Sequence, residues 1–105
     1  MKKRGVRWSV RAQHDLLALG VHIARDKPQA ARGWVEKLRL RANEAAEAPL
    51  AQRRVPELER DDIREALVGG YRIVYLVSAH RIDVLTVFEG HLQLPGDLSA
   101  QDMDD

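Results

Sequence analysis

The side chains that could carry chemistry are concentrated in the second half of the chain: Arg64, Tyr71, Arg72, Tyr75, Arg81 and His91. Arginines beside tyrosine and histidine on a sheet face can hold an RNA phosphate while the histidine or tyrosine acts as acid or base on a 2′-hydroxyl. The two tyrosines also have a plainer reading, favoured here: with Ile73 they fill a core, each phenol satisfied by one hydrogen bond. Other chemistries find no footing. The chain has no cysteine, so disulfides, thiolate metal sites and a cysteine nucleophile are excluded. His14 and His22 are eight residues apart, and no HxxxH or HExxH spacing occurs, so no metal site is expected. His80 falls in a predicted turn. No GxSxG elbow, SxxK pair, P-loop or GxGxxG is present, and Gly69-Gly70 reads as a turn. Asp61-Asp62 stands at a strand entrance, where carboxylates discourage edge pairing. No cofactor is expected.

The elements that must position these groups follow from periodicity. Val6 and Trp8 alternate with Arg7 and Ser9, the pattern of a short half-buried strand, and Ser9 is placed to cap the helix that follows. From Val10 to Arg25, Ala12, Leu16, Leu19 and Ile23 share one helical face, and Leu17, Val21 and Ala24 form a second stripe beside it. An apolar arc that wide exceeds what one sheet needs, so part of it is expected to cover a partner. Pro28 opens a second helix running to about Glu47, with Ala31, Trp34, Val35, Leu38, Ala42 and Ala45 inward. So short a link makes the pair an antiparallel helical hairpin. Residues 50–61 read as a polar connection. Ile63 to Val68 and Tyr71 to Val77 flank the Gly-Gly turn, and Ile82 to Phe88 forms the last strand. The last two strands are apolar on both faces, which predicts central places in the sheet.

The order is strand, helix, helix, strand, strand, strand: an α+β fold with a helical hairpin on a small, mainly antiparallel four-stranded sheet. At 105 residues the chain fits one domain, expected over 1–95, with an acidic, flexible tail over 96–105. No apolar run approaches the roughly 20 residues needed to span a bilayer, and Arg7 and Arg11 interrupt the position of a signal-peptide core. A cytoplasmic location without membrane contact is expected. The net charge of +1 conceals an asymmetry: up to Arg54 there are 13 basic and 5 acidic residues, and from Val55 onward 4 and 11. If the halves stay apart in space, a basic surface is available to steer an acidic partner.

Ile63-Arg64-Glu65, Gly70-Tyr71-Arg72-Ile73-Val74-Tyr75 and Ile82-Asp83-Val84-Leu85-Thr86-Val87 resemble the RelE/ParE toxin superfamily. The opening Trp8-Ser9, Ala12, Asp15-Leu16, Ile23-Ala24, Asp26, Pro28 and Ala30-Ala31, with the connection Arg54, Pro56-Glu57-Leu58, resembles its ParE branch. The likeness extends from Val6 to His91. It implies the fold already reached from periodicity, and a toxin of a type II toxin–antitoxin module bound in a hetero-oligomer by a cognate, ParD-like antitoxin. ParE-like members poison DNA gyrase, whereas RelE-like members cut mRNA on the ribosome. The strand positions where the nucleases carry cations fall here on Ile63, Glu65 and Leu67, and their terminal Lys-Arg falls on His91-Leu92. Without those cations the electrostatic stabilisation of a phosphorane-like transition state is lost, which favours the gyrase branch.

The resemblance then implies a target surface of Arg64, Arg72, Arg81, Phe88, His91 and Leu92, so that replacing His91-Leu92 or truncating after Phe88 should reduce toxicity and leave the fold. Leu17, Val21, Trp34 and Leu38 are the candidates for the antitoxin groove, or else for core. The alternatives are a ribosome-dependent nuclease with His91 as acid or base and Arg64 or Arg72 on phosphate, and an inactive relative kept as an antitoxin-binding module.

Overall fold

A computed structural model describes residues 4–98. The first three residues, and the part of the acidic tail from 99 onward, lie outside the described residues. The elements are β1 (Gly5–Trp8), α1 (Val10–Asp26), α2 (Pro28–Ala45), a 3-10 turn (Pro49–Ala51), β2 (Arg53–Arg54), β3 (Ile63–Val68), β4 (Tyr71–Val77) and β5 (Arg81–Glu89). The sheet runs β1-β5-β4-β3-β2. β1 lies parallel to β5, with Gly5 opposite Arg81 and Trp8 opposite Val84, and the other pairs are antiparallel. β5 and β4 are interior, as their two-sided apolar sequence predicts.

The sheet has five strands where four were expected. The extra one, β2, is a pair of arginines set against Arg64 and Glu65, and two charged residues carry no alternation from which to read a strand. Among the described residues, no helix is long and apolar enough to cross a membrane.

Local chemistry sets the helix ends. Ser9 Oγ accepts from the Ala12 amide at 3.0 Å, satisfying an orphan donor of the first turn. Lys27 separates the helices, its amide bonded to Ile23 O at 2.7 Å, and Pro28 opens α2. On α1 only Ala12 and Leu16 are fully buried, with Leu19 packed against them, whereas Leu17 and Val21 remain 65% and 57% exposed. On α2 the buried stripe is Leu38, Ala42 and Ala45.

Two cores result, one on each face of the sheet. The first packs the helices onto Ala66, Ile73, Tyr75, Ile82, Val84 and Val87. The second comprises Val55, Ile63, Val74, Leu76, Leu85 and Phe88, with Leu58 and Leu94 packed against it. Residues 50–61 are therefore more than a polar connection: Arg53–Arg54 extends the sheet edge, and Val55 and Leu58 cover the face away from the helices. Their apolar residues stand singly among charges, so no period marks them. A bulge at Val74/Tyr75 pairs Val74 with Thr86 and Tyr75 with Val84, which lets Leu85 bulge out of the ladder.

The β3–β4 turn depends on Gly69. Its φ is +56°, and a Cβ there would lie 2.4 Å from Trp34 Cη2. Left-handed backbone and close approach of a ring both select glycine.

Candidate functional site

Arg72 organises the sheet face opposite the helices. It is 4% exposed. Its Nε donates to Glu65 Oε1 at 2.8 Å, and Nη1 and Nη2 donate to the two oxygens of Glu57 at 3.0 and 2.7 Å. Nη1 also donates to Leu92 O at 3.0 Å, and the guanidinium lies 4.7 Å from the Phe88 ring centroid. Glu57 Oε2 in turn accepts from the Leu94 amide at 2.7 Å, and Glu65, itself buried, also accepts from Arg53. The hydrogen bonds from Arg72 hold the Glu57 carboxyl down to about 2, against a burial penalty, with the Leu94 amide assisting. The same pairing with Glu57 raises Arg72. This fork-to-fork geometry is the strong form of an ion pair, and it fastens both the 55–58 segment and the chain after β5 to the sheet.

Several expectations are corrected by that arrangement. Arg72 is a buried fastener with two carboxylate partners, and Phe88 lies beneath it at 7% exposure, so neither presents a surface to a target or holds a phosphate. Arg64 donates to Asp61 O at 2.8 Å and to Leu50 O and Gln52 O at 3.1 Å, so its donors staple the connection. Arg81 is exposed but shares Asp83 with Arg7, each Nε at 2.9 Å. His91 and Leu92 stand on the surface. At the positions matched to nuclease cations, Ile63 is core, Glu65 is a buried anion and Leu67 is exposed. Tyr75 is fully buried and donates to Pro49 O at 2.8 Å, and burial raises its phenol above its ordinary value.

Two of the concavities beside the helical hairpin bear on these candidates. An almost wholly apolar groove of about 340 Å³ is lined by Leu17, Gly20, Val21, Ala24, Ala31, Arg32 and Val35. It contains two of the four groove candidates. Leu38 is not among them, because it is fully buried between α2 and the sheet. Trp34 is not among them either: it lines the other concavity, its ring edge-on to Tyr71 at 5.2 Å.

That second cleft, of about 410 Å³, is bounded by His22, Ile23, Asp26 and Lys27 near the end of α1, by Trp34, by Gly70-Tyr71, and by Glu89 and His91. His22 Nε2 lies 3.6 Å from one Glu89 oxygen and His91 Nδ1 3.5 Å from the other. Sequence reasoning singled out His91 but did not bring it together with His22, on α1, and Glu89, at the end of β5. Among the described residues no group of three or more His, Asp or Glu side chains is placed to hold a metal ion.

The chain thus places a helical hairpin over a sheet whose first and last strands pair in parallel. The family model described as "ParE toxin of type II toxin-antitoxin system, parDE" matches residues 6–91, and this chain belongs to that family. It is 31% identical over 100 residues, 90% of this chain and 97% of the other, to a Sinorhizobium fredii protein named "Putative toxin Y4kP". Among solved structures, the chromosomal ParDE system of P. aeruginosa superposes with a TM-score of 0.70 at 17% identity, covering 83% of this chain and 96% of that one. The Mycobacterium tuberculosis RelBE2 toxin–antitoxin complex gives 0.55 at 22% identity, over 85% and 93%. Both share the fold.

Proposed function

We propose that this ParE-family toxin acts by inhibiting DNA gyrase, and that a cognate ParD-like antitoxin neutralises it. The observation that carries the reading is the state of the sheet face opposite the helices. Where an RNA-cutting relative needs free cations, this chain holds Glu65 buried between Arg72 and Arg53, under a cover fastened by Glu57. A cation already bonded to two carboxylates has little field left for a phosphorane-like transition state. The accessible target surface is then the exit of β5, His91-Leu92, with Arg81 at the strand's other end.

The test is purified, antitoxin-free protein in a gyrase assay, expected to abolish supercoiling and accumulate cleaved DNA, with addition of antitoxin reversing both. Substitution of His91 and Leu92 together should reduce the effect in a folded protein. Truncation after Phe88 is the poorer test, since it also removes Leu94 from the second core and the Leu92 carbonyl from Arg72. No effect on gyrase from folded protein would overturn the proposal.

One observation favours a second reading, ribosome-dependent RNA cleavage: His91 shares its cleft with His22, Glu89 and Tyr71, groups able to exchange protons. That reading requires RNA cleavage that vanishes in a folded His91→Ala variant.

The antitoxin is assigned to the apolar groove around Leu17 and Val21, whose shape and lining suit one face of an amphipathic helix.

A further inference from the structure

The molecule treats its sheltered carboxylates consistently. Among the described residues, each buried or half-buried one except Glu89 has an arginine nitrogen within 3.0 Å: Asp15 has Arg11, Glu57 and Glu65 have Arg72, Asp62 has Arg60, and Asp83 has Arg7 and Arg81. Glu89 is about one-third exposed and faces the cleft. The ring nitrogens of His22 and His91 lie 3.6 and 3.5 Å from its oxygens, longer than an ordinary hydrogen bond. Both carboxylate oxygens therefore keep accepting capacity, and they look across a cleft walled by the edge-packed rings of Trp34 and Tyr71.

A planar donor fork that pairs bidentately with a carboxylate and stacks on aromatic faces is a guanidinium. We propose that the cleft between Trp34, Tyr71 and Glu89 is a receptor for an arginine side chain supplied by the protein that this toxin attacks. Asp26, also in the lining, adds a second anion, and Lys27 is exposed, so its long stem can keep its ammonium in water; Lys37, whose ammonium lies 4.6 Å from the Trp34 ring centroid, lines neighbouring concavities and not this cleft. The target supplies the arginine because the cleft includes His91, on the surface assigned to the target. The Leu17/Val21 groove shares no lining residue with the cleft.

This assignment of the arginine's source rests on the proposed target surface, and the experiment separates the two. The full-length, antitoxin-free protein is titrated with N-acetyl-arginine amide, observing the Trp34 indole and the His22 and His91 ring signals by NMR. The comparators are the neutral isostere N-acetyl-citrulline amide and guanosine monophosphate. The arginine compound is expected to shift all three sets of signals, with affinity about millimolar for so small a ligand, and citrulline and the nucleotide are not. Glu89→Gln should weaken the arginine compound about tenfold, the effect of losing one charge-assisted pair, while leaving the rest of the spectrum in place.

Equal response to citrulline, no response to arginine, or a stronger response to the nucleotide would overturn the receptor. The same Glu89→Gln protein in the gyrase assay tests the source. Reduced cleaved-complex formation supports an arginine of the target, and unchanged potency overturns that assignment while the titration result stands. Wild-type protein inert toward gyrase would remove the target reading alone.

Discussion

Glu57→Gln isolates the fastening of the sheet's second face. The Glu57 carboxyl is held at about 2 against an ordinary 4.5, and each unit corresponds to about 1.4 kcal/mol. The ceiling is therefore about 3 kcal/mol. With the side chain 20% exposed, screening trims the expected loss at pH 7 to about 2 kcal/mol. A depressed carboxylate contributes fully above its unfolded value and loses that contribution as pH falls from about 4.5 toward 2. Wild type and variant should thus differ most at neutral pH and converge near pH 2. Urea unfolding followed by Trp8 and Trp34 fluorescence at several pH values measures this, with a neutral-pH midpoint shift of about 1–2 M. A stability difference that stayed constant from pH 7 to pH 2.5 would refute the argument, since a non-ionic packing loss has no reason to vanish on acidification.

Gly69→Ala combines a left-handed φ, worth about 1–2 kcal/mol, with displacement of the Trp34 ring. It should lower the melting temperature by roughly 8 °C or more and change tryptophan emission, whereas Gly70→Ala, with nothing within 4 Å of its Cβ, should do neither. Leu38→Ala should cost about 2–5 kcal/mol of stability. Leu17→Ala and Val21→Ala should stay within about 0.5 kcal/mol yet loosen the antitoxin measurably in calorimetric titration. Tyr75→Phe removes the only hydrogen on the buried phenol's bond to Pro49 O and should cost about 1–2 kcal/mol in chemical unfolding.

The helices, the Ser9 cap and the Gly69 hairpin were legible because each is written in neighbouring residues: a period near 3.6, a hydroxyl before an apolar run, two glycines between strands. The pairing of β1 with β5 was not, since parallel partners share no local signal. Arg72 was misjudged for a related reason. An arginine on a strand is read as exposed unless its partners are visible, and Glu57 and Glu65 lie on other elements. Leu38 was read both as inward-facing and as a groove residue, and the sheet beneath α2 decides for the first. Leu17 and Val21 could be picked out because their stripe exceeds the sheet's need. The Glu89 cleft joins α1, α2, β4 and the end of β5, a conjunction that only the tertiary fold creates.

The parallel seam between β1 and β5 also orders events in time. β3, β4 and β5 are joined by tight turns and can pair locally, but Gly5 finds Arg81 only after the helices and the other strands between them have been made, and contacts so distant in sequence are slow to close. The first strand leaves the ribosome early and waits for the last. Because Glu89 ends that last strand and His91 follows it, the cleft they share with α1 and α2 forms only once β5 has been made.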